Sequence, residues 1–189
     1  MTTLKNGMLC GLATLVSIGA MAEPRPDHSV GVSAKKQVPG ANLATVTCSV
    51  DPAITRITLV KGKTPGSARV TVDTRNIGPS AWRSGPRQQV LSLSVRNGAS
   101  GAVSAHSWPL AASAAAGASM GSFTTPIIAN AFDSFEFRGM VKATISYEPD
   151  IRIDGNACND DSNATNNVKD VSDGQVADFL ASKSGTMGF

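Results

Sequence analysis

Aromatic side chains are scarce in this chain. They make up 5% of its 189 residues, with one Tyr and two Trp, while hydrophobic residues of all kinds reach 41%. A core must therefore rest mainly on Val, Ile, Leu and Ala. Histidine is equally sparse, and two His beside a single Tyr leave little material for acid–base catalysis. Neither sign of charge prevails: a formal net charge of +3 is too near balance to argue for nucleic acid or an anionic membrane as partner. There is no C-x-x-C pair, and no apolar run approaches the ~20 residues that span a bilayer. Turn formers are plentiful instead. Eighteen Gly and ten Pro favour the many reversals of an all-β fold.

Met1 to Ala22 reads as a secretory signal peptide, with Lys5 as the positive region, Met8 to Ile18 as the apolar stretch and Ala20-Met21-Ala22 as the cleavage site. The expected product is exported, periplasmic or secreted, with no transmembrane segment after cleavage. Glu23 to Ala44, which includes His28, mixes Pro, Gly and Lys without apolar periodicity and reads as a flexible leader. Of the three Cys, Cys10 falls within the signal, leaving Cys48 and Cys158. In an exported chain one disulfide is the simplest pairing; two free thiols or a partial metal site are the alternatives.

From Thr45 onward the pattern is one of strands. Ile57 and Leu59 alternate with polar neighbours after Asp51-Pro52. Val70 and Val72 do the same within Arg69 to Trp82, until Asn76-Ile77-Gly78-Pro79 stops the strand. Leu91, Leu93 and Val95 form the inward face of a third strand, which Asn97-Gly98 turns back into a fourth over Ala102 to Trp108. Leu110 to Met120 reads mainly as loop, and Ser119 to Thr125 as a fifth strand halted by Pro126. An apolar crossover, Ile127 to Glu136, leads to the clearest strand, Met140 to Tyr147, with Val141, Ala143, Ile145 and Tyr147 inward. Glu148 to Asn167 is an Asp/Asn-rich surface loop, and Val168 to Val171 a short closing strand. Ser172 with Gln175 makes a capping box for a short helix to about Lys183, with the chain frayed beyond Gly185. The β-sandwich domain is thus expected over 45–171, and helix and tail over 172–189.

The strand into Asn76-Ile77-Gly78, the run Leu91 to Gly98, Ala116-Gly117-Ala118-Ser119, Tyr147-Glu148-Pro149-Asp150 and the acidic loop ending Asn166-Asn167 together resemble the CARDB family. These are cell-adhesion-related domains of exported bacterial proteins. The resemblance covers about Pro52 to Asn167. It implies an all-β, immunoglobulin-like or fibronectin-like antiparallel sandwich of about seven strands, with an extracytoplasmic structural or adhesive role and no catalytic residues to transfer.

Consecutive antiparallel strands run alternately between two poles. Counting strands places the Asn76–Gln88, Leu110–Gly117 and Glu148–Asn167 loops at one pole, together with Cys48 and Cys158. The count does not use the cysteines, so it supports their disulfide independently. Trp82, Arg83 and Arg87 are candidates for a binding pole there, since Trp and Arg are the usual hot-spot residues of interfaces. The simpler reading has Trp82 capping the core and the arginines pairing with Asp160 or Asp161. Asp154, Asn156, Asn159, Asp160, Asp161 and Asn163 carry oxygen ligands of the kind calcium uses, although not in EF-hand register. Asn163-Ala164-Thr165 also matches a glycosylation sequon by pattern. His106 has no acidic partner suggested by position, against a hydrolase triad.

These readings favour a non-catalytic exported module for adhesion, envelope assembly or an accessory role. Its expected partner is an envelope or extracellular protein or glycan, and it needs no cofactor. The alternatives are a calcium-dependent carbohydrate- or surface-binding domain and, more remotely, a secreted hydrolase.

Overall fold

The computed structural model describes residues 48–189; the signal and leader readings lie outside the described residues. Valine, isoleucine and leucine alternation sets most strand positions. In β1 (Pro52–Lys61) Ile54, Ile57 and Leu59 all face the core. Ile54 and Ile57 differ in parity, so a β-bulge between Ile54 and Arg56 takes up the extra residue. β2 (Ala68–Asn76) buries Val70 and Val72 and pairs antiparallel with β1.

The remaining strands are β3 (Trp82–Arg83), β4 (Gln89–Asn97), β5 (Val103–Pro109), β6 (Ser113–Ala114), β7 (Ser119–Thr124), β8 (Gly139–Tyr147), β9 (Val168–Val171) and β10 (Thr186–Gly188), with one α-helix, α1 (Asp173–Ala181). One sheet has the order β10-β1-β2-β7 and the other β5-β4-β8-β9, while β3 and β6 form a small ribbon. The chain changes sheets between β2 and β4, between β5 and β7, between β7 and β8 and again between β9 and β10. This is the Greek-key connectivity of an immunoglobulin-like antiparallel sandwich.

The inner faces meet in one cluster. Ile57, Leu59, Val70 and Val72 oppose Leu91, Leu93, Val95, Val141, Ala143 and Ile145, all buried. Each buried Val, Leu or Ile of this set contributes about 1.5–3 kcal/mol, so many mid-sized residues do what few aromatics cannot. The open side between β5 and β7 is closed by Trp108 against Phe123, with ring centroids 5.7 Å apart. His106 stacks on Trp108 at 5.6 Å.

Ser172 caps α1 in the expected way: its hydroxyl accepts from the Gln175 amide, and Gln175 reaches back to the Ser172 amide. Val176 and Phe179 are fully buried, so the helix is docked on the sandwich. Phe179 meets Phe132 edge-on at 6.3 Å.

Two expectations are corrected. The tail beyond Gly185 is not frayed: Thr186, Met187 and Gly188 pair with Val60, Leu59 and Thr58 as β10, covering the edge of β1. Phe189 continues the pairing, exchanging two backbone hydrogen bonds with Ile57 at 3.1 and 2.9 Å. The Leu110–Gly117 segment is not all loop, because Ser113–Ala114 pairs with Trp82–Arg83.

Candidate functional site

The pole that carries Cys158 is assembled from Asn76 outward. Its side chain is fully buried at the end of β2. Its Oδ1 accepts from the Asp51 amide at 3.1 Å and the Gly78 amide at 3.2 Å, and its Nδ2 donates to the Ser80 carbonyl at 2.8 Å. Longer contacts reach the carbonyls of Ala114 and Ala115, at 3.4 and 3.3 Å. One amide thus joins the entry to β1, the β2–β3 loop and the β6 loop. Asn76 keeps ordinary backbone geometry; its value here is hydrogen bonding. Gly78 is needed for space, since a Cβ there would lie 2.7 Å from the Ser49 carbonyl oxygen and the Asp51 nitrogen.

The disulfide joins Cys48 to Cys158 across 110 residues, with Cα atoms 4.9 Å apart, an ordinary spacing for the bond. Beside it, Val50 bridges to Asp161, and the Ser162 amide donates to the Val50 carbonyl at 2.9 Å. The strand count therefore placed both cysteines and all three loops correctly.

Arg83 is held by its backbone on the disulfide loop. Its amide donates to the Cys158 carbonyl at 2.9 Å, and its carbonyl accepts from Asn156 Nδ2 at 2.8 Å. The next residues form the turn Gly85 to Gln88, where Arg87 has φ +66°. A bulky residue in the left-handed region carries strain of order 1–3 kcal/mol and persists only where its surroundings enforce it. Here they do. Gln88 Oε1 accepts from the Gly85 amide at 2.5 Å and from the Ser84 hydroxyl at 2.9 Å. Gln89, fully buried, shares that hydroxyl proton through its Oε1 at 2.6 Å and donates to the Ala111 carbonyl at 3.0 Å. The side chains of both arginines are exposed.

Trp82 lies beneath this surface and is wholly buried, 6.1 Å from the Tyr147 ring. It supports the pole and offers no contact area. The expected arginine–carboxylate pairing is not made. Asp161 accepts instead from Tyr147 Oη at 3.0 Å, Asn167 Nδ2 at 2.5 Å and the Asn163 amide at 2.9 Å, and Asp160 Oδ1 has no partner. The phenol of Tyr147 is pushed far up by burial, and the Asp161 charge raises it further. Asp154 is held below the usual carboxylate range by the Asn159 side chain and the Asn156 amide, which donate to it at 2.7 Å each.

Several of the candidate calcium ligands are engaged within the loop itself, while Asn159 Oδ1 and Asp160 Oδ1 have no partner among the described residues. Among the described residues no group of three or more His, Cys, Asp or Glu converges as a metal site. The oxygens of Asp154, Asn156 and Asp161 serve the loop's own hydrogen bonds, and Asn159 is buried with its Nδ2 on Asp154. Asn163 caps the short 3-10 turn Ala164–Asn166. Compared with known proteins, the chain matches no family model, no curated protein and no solved structure.

Proposed function

We propose that the protein is an exported, non-catalytic binding module, serving adhesion, envelope assembly or an accessory role, and that it recognises its partner through Arg83 and Arg87. The observation that carries this reading is the enforced backbone of these two exposed arginines. Strain retained at Arg87 on a buttressed turn serves presentation better than folding, because glycine or asparagine would occupy that position with less strain. Arginine offers five donors in a rigid fork, suited to carboxylates on an acidic protein surface or an acidic glycan.

Export is supported by the signal pattern at the N-terminus and by a disulfide, which persists in oxidising compartments. No helix among the described residues is long and apolar enough to cross a membrane. The resemblance to CARDB domains agrees with a binding role.

The test is cross-linking and capture from the native envelope with wild type and Arg83→Glu/Arg87→Glu side by side. Partners held by wild type and lost by the variant, with melting unchanged, are expected. Identical capture by both proteins would reject the arginine pole.

A further inference from the structure

The opposite pole holds a cleft of about 500 Å³ between the β1–β2 turn, the 132–138 segment and the end of α1. Lys61, Lys63 and Arg138 line it, with the hydroxyl residues Thr64 and Ser134, and among the described residues no Asp or Glu does. Three cations around one concavity without a carboxylate is an unfavourable arrangement for a folded protein to keep unless something offsets it.

The three cations are not equivalent. Lys61 is committed to the helix: its Nζ donates to the Leu180 carbonyl at 3.0 Å and the Ser182 carbonyl at 2.5 Å, and sits 5.5 Å from the Phe179 ring centroid. It thereby neutralises the negative end of α1, which would otherwise face the cleft. Lys63 is exposed at the tip of the turn. Arg138 is the anomaly, because its Nη1 is buried with no acceptor among the described residues. A buried guanidinium N–H without a protein partner is costly, so this atom gains from any acceptor brought within its reach. Turning toward an oxyanion in the cleft would forfeit no hydrogen bond at that atom.

The walls are preformed. Gly66 (φ +73°) accepts from the Phe132 amide at 3.0 Å, and a Cβ there would lie 2.4 Å from the Phe132 carbonyl oxygen. Asp133, whose Oδ2 accepts from the amides of Phe135 and Glu136 at 3.1 Å each, is occupied in shaping its own loop.

We propose that this cleft is an anion-binding site for a phosphate-class oxyanion, held by Lys63 and Arg138 with Thr64 and Ser134 as hydroxyl donors. A tetrahedral ligand with several acceptor oxygens suits a cleft lined by donor residues from two loops, and charge-assisted bonds of this kind are about twice as strong as neutral ones. A soluble phosphoryl compound and a phospholipid headgroup share this chemistry.

The test uses the full chain in two arms. In the first, melting is followed in inorganic phosphate against chloride at equal ionic strength. In the second, co-sedimentation is measured with vesicles of phosphatidylglycerol in phosphatidylcholine against phosphatidylcholine alone. A phosphate-specific rise in melting temperature without vesicle binding assigns a soluble ligand. Vesicle binding that phosphate competes away assigns a headgroup. In either arm Lys63→Glu, and separately Lys63→Ala/Arg138→Gln, should weaken the response on the order of tenfold or more, while Arg152→Ala, which removes an exposed cation at the other pole, leaves it unchanged. Lys63→Glu alters only an exposed residue, so its reading does not depend on how well Arg138 variants fold. No response in either arm, or a response that survives both variants, overturns the site.

Discussion

At the pole carrying Cys158 a disulfide, the buried amides of Asn76 and Gln89 and the Gln88–Asn159–Asp154 contacts add side-chain ties to the backbone bonds between loops. At the other pole they are held by close backbone approach, with Gly66 against Phe132, and by a helix docked through Val176 and Phe179. The first construction fixes the path of a loop while leaving Arg83 and Arg87 in solvent. The second brings cationic residues around a concavity. A rigid scaffold that positions variable loops is the usual way such sandwiches bind, and here two different solutions to loop rigidity present two different kinds of surface.

The comparison can be broken most severely at the disulfide. Cys48→Ser removes a cross-link spanning 110 residues, for which the chain-entropy model gives about 4.7 kcal/mol. We expect a fall in melting temperature of roughly 10–20 °C, and an unchanged transition under oxidising conditions would count against a structural role for the bond. At the other pole, Gly66→Ala should destabilise by about 1–3 kcal/mol, through left-handed strain and the close Phe132 carbonyl. Denaturant melts would register this as a lower midpoint with an unaltered slope.

A smaller effect tests the packing beneath the arginines. The chain has one Tyr, so phenolate absorbance reports Tyr147 alone. Its ionisation is raised by burial and by Asp161. The stability this gives is complete below the ordinary phenol value of about 10 and is lost as pH rises beyond it. Native protein should therefore show no phenolate signal near pH 10, whereas protein in denaturant titrates there. A native midpoint near 10 would place the hydroxyl in water.

Most of the scaffold was legible because a half-buried strand must alternate. Val70, Val72, Leu91, Leu93, Val141 and Ala143 reveal both sheets, and Ser172 with Gln175 reveals the start of α1. What escaped was tertiary. Thr186-Met187-Gly188 is too short to show a period, and only the exposed edge of β1 makes it a strand. Asn76 reads as a turn former by type, while its burial among three segments is set by parts of the chain 25 to 39 residues away. The arginine–aspartate pairing failed for a local reason. At Asp161 the Asn163 amide and the Asn167 side chain, from the same loop, reach the carboxylate first at small entropic cost. Arg87 could have been suspected, since a residue between Pro86 and a strand start is where a turn can demand positive φ.

The claim on which the rest depends is that the disulfide loop holds the arginine loop in place. Amide hydrogen exchange at Arg83, measured in the oxidised and reduced protein, addresses it directly, because that amide donates to the Cys158 carbonyl. Slow exchange when oxidised and fast exchange when reduced is expected, with the Leu93 and Ala143 amides in the β4–β8 pair protected throughout. Fast exchange at Arg83 in the oxidised protein, or protection that reduction leaves untouched, would contradict it.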